Sequence, residues 1–179
     1  DHLDENSYRM RQILERIAPE GVIVSISPHK LGPFHAVLKA IDFLDLRKPT
    51  IVNYADFTCD WDFNDFSNSV IKSGCDGAIP CYRGFHPHTL WSNYYAYVQE
   101  DKMQAFNIQE KKPFTDNPRE EFASSGTYYF KSGGIMINYF NRCVNENLTV
   151  GGEYYVSMVY KPMMQDDLNI RVYELEHFM

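Results

Sequence analysis

A three-layer α/β domain with a mixed sheet is the fold class that the sequence predicts, on three observations. Short apolar runs rich in β-branched residues, Val22-Ile23-Val24-Ser25-Ile26 and Thr50-Ile51-Val52-Asn53-Tyr54, read as strands buried on both faces. Stretches with apolar residues at helical spacing alternate with such runs. A hairpin signature around Asp101-Lys102 makes the sheet mixed rather than purely parallel. With 179 residues, 44% of them hydrophobic, the chain suits one domain over residues 1–179, and no repeat, linker or low-complexity tract divides it.

The elements follow in order. Asn6-Ser7 is an N-cap signal ahead of Met10, Ile13, Leu14 and Ile17, which share one helical face, and Pro19 and Gly21 end that helix. The strand over 22–26 comes next. After the loop Ser27 to Gly32, Pro33 suits a helix N1 position, and Val37, Leu38, Ile41 and Leu44 continue on one face. With the strand over 50–54, residues 22 to 54 then read as one right-handed β-α-β unit. Downstream, the pattern predicts a helix over 63–73, a strand over 76–82, hairpin strands at 95–98 and 104–109, and a strand over 127–130. Helices over 134–146 and 154–165 follow, the second after the Gly151-Gly152 break, and a strand over 170–175 closes the chain.

Composition removes several classes of function. A net charge of -7 argues against nucleic acid, because phosphate backbones are held by clustered Lys and Arg. No run of about 18 apolar residues exists, so no membrane span is expected. The opening Asp1-His2-Leu3-Asp4-Glu5 is neither a basic n-region nor an apolar h-region, so the expectation is a soluble, cytoplasmic protein. Cys59, Cys75, Cys81 and Cys143 have no C-x-x-C spacing and read as reduced thiols. The sequon Asn147-Leu148-Thr149 matters only in a secreted chain and is read as chance. There is no P-loop, no G-x-G-x-x-G turn, no G-x-S-x-G elbow and no H-E-x-x-H helix.

In α/β folds ligands bind beyond the carboxyl ends of strands, which directs attention to Gly32 and Asp56. Asp56, just past an apolar strand, can hold a hard cation against phosphate oxygens, although it equally suits a solvated turn cap. Gly32-Pro33 lets the backbone approach a planar base and starts a helix whose N-terminus favours anions; an ordinary helix start reads the same way. Glu110-Lys111-Lys112-Pro113 places an acceptor for sugar hydroxyls beside an ammonium for a phosphate, or is simply a charged strand end. Asp60-Trp61-Asp62 has the D-x-D spacing of metal-binding glycosyltransferases, with Asp62 serving as well as the N-cap of the helix over 63–73. In Phe85-His86-Pro87-His88 the intervening proline and the lack of further ligands argue against zinc; His86 and His88 are candidates to hydrogen-bond an acceptor near neutral pH.

Taken in order, Leu31-Gly32-Pro33 before Ala36-Val37-Leu38, Asn53-Tyr54-Ala55-Asp56, Glu110-Lys111-Lys112-Pro113, Ser125-Gly126-Thr127-Tyr128-Tyr129-Phe130 and Gly152-Glu153-Tyr154 resemble the sugar nucleotidyltransferase family, over roughly residues 22 to 178. Members found among capsule and surface-polysaccharide genes are the ones it resembles. The resemblance implies a Rossmann-like mixed sheet of the nucleotide-diphospho-sugar transferase type. It implies an enzyme in which a sugar 1-phosphate oxygen attacks the α-phosphorus of a nucleoside triphosphate and releases pyrophosphate, with Mg2+ as cofactor. Position by position, Lys30, Gly32 and Pro33 would bind the nucleotide, and Asp56 the magnesium. Glu110 would hold the sugar and Lys111 its phosphate, with Gly126, Thr127 and Glu153 completing the sugar pocket. Positioning and charge neutralisation would carry most of the catalysis. At about 4 Å and an effective dielectric of about 20, one lysine–phosphate contact has a Coulomb attraction of roughly 4 kcal/mol.

Two departures qualify the resemblance. Tyr95-Ala96 stands where the family has Tyr-Gly, which gives a bulkier floor and opens the acceptor to phosphorylated metabolites other than sugars. The family's glycine-rich loop and its second metal-binding Asp have no counterpart between residues 1 and 179, so the chain reads as truncated at both ends and is expected to turn over little by itself. A sheet edge exposed in this way can be covered by a second copy, which leaves a homo-oligomer open without the sequence fixing the oligomeric state. The alternatives are a glycosyltransferase using Asp60 and Asp62, and a non-catalytic metabolite-binding module.

Overall fold

The computed structural model describes residues 8–57, 59–86 and 92–178. The helix at the start is present as α1 (Met10–Ile17), but none of its residues is buried. Its expected cap at Asn6-Ser7 lies outside the described residues.

The strand expected over 22–26 does not form: this segment is irregular, pairs with no described strand, and leaves Val22 67% exposed. β-Branched residues fit a pleated, half-buried surface, and without a neighbouring strand to pair with that preference has nothing to act on. The β-α-β reading of residues 22 to 54 falls with it. α2 (Pro33–Lys39) does start at Pro33, and a short 3-10 turn, Ile41–Phe43, extends it.

β1 (Thr50–Asn53) ends one side of a seven-stranded sheet. The other members are β3 (Gly77–Tyr82), β4 (Ala96–Asp101), β5 (Gln104–Glu110), β6 (Phe122–Ser124), β7 (Thr127–Phe130) and β8 (Ile170–Glu174). Their order is β1-β7-β3-β6-β4-β5-β8. β1 runs antiparallel to β7, with Asn53 opposite Thr127, and among the pairings of this sheet only β3 with β8 is parallel. Because β8 pairs with β3 as well as β5, five strands close into a ring instead of an open layer. The sheet is mixed as expected, and it closes on itself where the sequence reading expected an open, three-layer Rossmann-like sheet. The hairpin β4–β5 reverses the chain at once and so makes antiparallel neighbours, while β6 and β7 follow one another in a single direction, both antiparallel to β3. The hairpin turn is carried by Lys102 and Met103, both at positive φ. Two short strands, β2 (Cys59–Asp60) and β9 (His177–Phe178), pair separately.

α3 (Phe63–Ser73) begins at Asp62, whose carboxylate accepts from the backbone N–H of Asn64 and Asp65, and ends at Gly74 in the left-handed region. It buries Phe66 and Val70 against Ala78 and Tyr129, and a fully buried aromatic of this kind contributes about 1.5–3 kcal/mol. α4 (Gly133–Asn145) and α5 (Tyr160–Gln165) cover the main core, where Phe140, Met136 and Met163 meet Ile79, Ile108 and Ile170. Tyr160 stacks on Phe130 with ring centroids 5.0 Å apart and donates its hydroxyl to the Tyr129 carbonyl at 2.8 Å. The four cysteines are free thiols, and Cys75, Cys81 and Cys143 are buried. Among the described residues no helix is long and apolar enough to cross a membrane.

Candidate active site

The exit of β1, the start of α2, the end of β5 and the kink between β6 and β7 surround a cleft of about 740 Å³. Pro33, Asp56, Glu110, Lys111 and Gly126, all singled out in the sequence, line it together.

Glu110 is the last residue of β5 and only 8% exposed. Its carboxylate accepts a hydrogen bond from the Ser157 hydroxyl at 2.5 Å. Burial pushes its pKa up, while the Ser157 bond and the Lys111 charge pull it back. Lys111 leaves the strand at φ 57 with its N–H on the Tyr95 carbonyl at 3.0 Å, which turns the side chain toward Tyr155. Its ammonium donates to the Tyr155 hydroxyl at 2.5 Å, and this bond is the main reason its pKa rises. Tyr155 in turn donates to the Glu153 carboxylate. Glu153 therefore reaches the site through Tyr155, and Tyr155 itself lines the cleft.

Gly126, at φ 80, makes the kink between β6 and β7, which run on in one direction along β3. A Cβ there would meet the Phe57 ring at 2.7 Å and the Tyr54 ring at 3.3 Å, so its bareness lets the aromatic floor close. Thr127 is buried behind that floor and donates to the Asn53 side chain at 2.6 Å; it steadies the cleft wall without lining the cleft. Gly32, at φ 86, makes its close approach to protein backbone: a Cβ would stand 2.9 Å from the Tyr154 nitrogen. The Tyr154 N–H donates to the Leu31 carbonyl at 2.9 Å, so Gly32 seats the Glu153-Tyr154-Tyr155 segment against α2. Lys30 is exposed and does not line the cleft.

His86 is half-buried, packs 5.9 Å from the Tyr95 ring, and has its pKa lowered by burial; Tyr95, not His86, lines the cleft. His88 lies outside the described residues. Asp56 is exposed at the cleft mouth, and among the described residues no group of three or more His, Cys, Asp or Glu could hold a metal. Asp60 and Asp62 line a separate recess of about 490 Å³ with Asp65, Glu174 and Glu176. Asp62 is engaged as the α3 cap, its Oδ1 accepting from both Asn64 and Asp65, which ties one half of the D-x-D pair to the start of the helix.

Sequence reasoning did not single out Tyr155 and Ser157, nor the ring of Tyr54 on the cleft wall. A Tyr or Ser inside a helix-like stretch has no local signature. The one available cue was that both follow Glu153, itself a candidate, within four residues.

No family model matches the sequence, and no curated protein matches it. A crystal structure described as the nucleoside-diphosphate-sugar pyrophosphorylase from Vibrio cholerae RC9 is similar to it, with a TM-score of 0.72 and 18% identity, over 95% of this chain and 70% of that one. The chain thus has a fold of the kind seen in a nucleotide-sugar pyrophosphorylase. At this identity the likeness is one of fold, and the cleft has to be read from its own residues.

Proposed function

We propose that this chain forms the acceptor side of a magnesium-dependent nucleotidyltransferase, which moves a nucleoside monophosphate from a nucleoside triphosphate to a sugar 1-phosphate or related phosphorylated acceptor, in nucleotide-sugar and capsular polysaccharide synthesis. The observation that carries the reading is the convergence of Asp56, Glu110, Lys111 and Gly126 on one cleft, within a fold shared with a nucleotide-sugar pyrophosphorylase. In this reading an acceptor phosphate oxygen attacks the α-phosphorus, a new P–O bond forms, and the bond to pyrophosphate breaks. The Lys111 ammonium neutralises the acceptor phosphate, the Glu110 carboxylate orients the rest of the acceptor, and Tyr155 holds Lys111 in place.

Asp56 is a single hard oxygen donor. Magnesium is ordinarily held by one or two carboxylates together with substrate phosphates and water, so Asp56 fits as one ligand of an ion carried by the triphosphate. When bound, that ion would neutralise charge developing on the phosphates. Gly32 and Pro33 are proposed to face the base, with Pro33 on the cleft wall, and Lys30 and His86 are proposed to reach the ligands from outside it.

The test is pyrophosphate release by the chain, and by any longer gene product containing it, given each of the four common nucleoside triphosphates, candidate acceptors and magnesium. Release should vanish in Asp56→Asn and in Lys111→Ala. Release that persists in Asp56→Asn refutes the metal assignment, and no release with any pair refutes the reaction.

A further inference from the structure

Which groups in the cleft remain available to an acceptor is decided by what the cleft's own polar atoms already do. Five tyrosines line it: Tyr54, Tyr94, Tyr95, Tyr128 and Tyr155. At least three of their hydroxyls are committed within the protein. Tyr128 accepts from Ser124 at 2.8 Å, Tyr54 accepts from the Val156 N–H at 3.4 Å, and Tyr155 bridges Lys111 and Glu153. The Asn53 amide is committed as well, donating to the Tyr54 carbonyl at 2.7 Å and accepting from Thr127 at 2.6 Å. Much of the remaining wall is aliphatic, from Pro33, Ala36, Val37, Val52 and Ala96. A sugar ring brings several hydroxyls into such a site, and each would give up water for few partners.

Charge points the same way. Asp56 and Glu110 are the cleft's carboxylates and Lys111 is its one cation among the lining residues. The Lys111 ammonium is directed at Tyr155, and through it at Glu153, and it makes no ion pair with Glu110 among the described residues. Ser157 occupies one Glu110 oxygen, and the other accepts no hydrogen bond among the described residues. A nearly buried carboxylate in a cleft lined by tyrosine rings, whose neighbour Lys111 is hydrogen-bonded to Tyr155 and not to it, is an environment that can hold an alkylammonium cation: the rings attract it through their quadrupoles and the carboxylate through its charge.

We infer that the acceptor end of this cleft binds a small alkylammonium group, so that the acceptor is the phosphoester of an amino alcohol, its ammonium among the tyrosines and Glu110 and its phosphate at Lys111. The phosphate half of this statement rests on the proposed function, and the cation half rests on the cleft alone.

The cation half is tested by titrating the wild-type chain, in a calorimeter or by ligand-observed NMR, with choline and with 3,3-dimethyl-1-butanol, its neutral carbon isostere. Choline should bind at least about tenfold more tightly, and Glu110→Gln and Tyr95→Leu should each remove most of that preference while the urea midpoint of folding stays measurable and cooperative. Equal binding of the two probes, or no binding of choline up to tens of millimolar, overturns the inference. Pyrophosphate release separates this inference from the reading it builds on. Release with glucose 1-phosphate but not with choline phosphate overturns the inference and leaves nucleotidyl transfer standing. Selective choline binding without release from any acceptor supports the cation site and overturns the transfer reading.

Discussion

The Glu110 carboxylate and the Ser157 hydroxyl, 47 positions apart in sequence, meet at 2.5 Å where β5 ends against the Val156–Val159 turn. That bond holds the one nearly buried carboxylate of the cleft in place, and it makes the site answerable to pH.

Glu110 sits above its ordinary value of 4.5 because burial disfavours its charge. The sign follows: a carboxyl raised on folding contributes stability fully below pH 4.5, and that contribution is lost as pH rises through its folded value. Glu110→Gln keeps a partner for Ser157 and should flatten the stability curve in that window. Ser157→Ala removes a bond that favours the charged form, so the Glu110 pKa should rise further, at a stability cost of about 1.5–3 kcal/mol at neutral pH. Carboxyl carbon NMR titration and urea midpoints across pH read both effects. A Glu110 pKa unmoved or lowered in Ser157→Ala would refute the role given to that hydroxyl.

Tyr155→Phe keeps a ring near Lys111 and removes only the hydroxyl that joins the ammonium to Glu153. The Lys111 pKa, raised chiefly by that bond, should fall in the variant. A lysine raised on folding contributes stability below its ordinary 10.5 and loses it as pH climbs through the folded value, so the alkaline limb of the stability curve should shift to lower pH. In the transfer assay the acceptor KM should rise about fivefold, the size of one net hydrogen bond, with kcat less affected. Side-chain NMR of Lys111 and steady-state kinetics test this; a fall in kcat alone would mean that Tyr155 does something other than position Lys111.

Three glycines at positive φ should rank by what a methyl would strike. Gly74 has open space, so Gly74→Ala should cost only the left-handed backbone penalty, about 1 kcal/mol. Gly126→Ala adds a clash with the Phe57 and Tyr54 rings, and Gly32→Ala drives into the Tyr154 backbone, which has less room to yield. Urea midpoints should fall in the order Gly74, Gly126, Gly32, the last two by more than about 2 kcal/mol. Equal losses at Gly32 and Gly74 would show that the Tyr154 contact is not tight.

How much of this was readable from the chain depended on the range of the interactions. α3, β3, the β4–β5 hairpin, β7, α4 and β8 follow periodicities and caps that live within a dozen residues, and they are where the sequence places them. Strand direction does not live there: β1 pairs antiparallel with β7, some 75 residues downstream, and nothing in Thr50–Asn53 encodes that partner. Val22–Ile26 failed for the related reason that strand propensity has no effect without a neighbour. β6 is only three residues long and has no alternating pattern to notice. In the cleft, the charged and glycine positions announced themselves by chemistry, whereas Tyr155 and Ser157 acquire their roles only through the residues they touch. Gly32 shows the converse case, a glycine demanded by the fold's own backbone at Tyr154.

Asp56 and Asp62 should separate function from stability cleanly. Asp56 is exposed on the cleft mouth with no hydrogen bond or ion pair among the described residues, so Asp56→Asn should shift the urea midpoint by no more than about 0.5 kcal/mol while abolishing pyrophosphate release. Asp62 holds two backbone N–H groups at 2.8 and 3.0 Å at the start of α3 and lines a different recess. Asp62→Ala should therefore cost about 0.5–2 kcal/mol and leave release intact, with Asp62→Asn recovering most of the stability because asparagine caps nearly as well. The D-x-D alternative makes the opposite forecast, with catalysis lost in both Asp62 variants and sugar transferred from a nucleotide-sugar donor without pyrophosphate chemistry. Release and midpoint measured on the same three proteins decide between the two carboxylates.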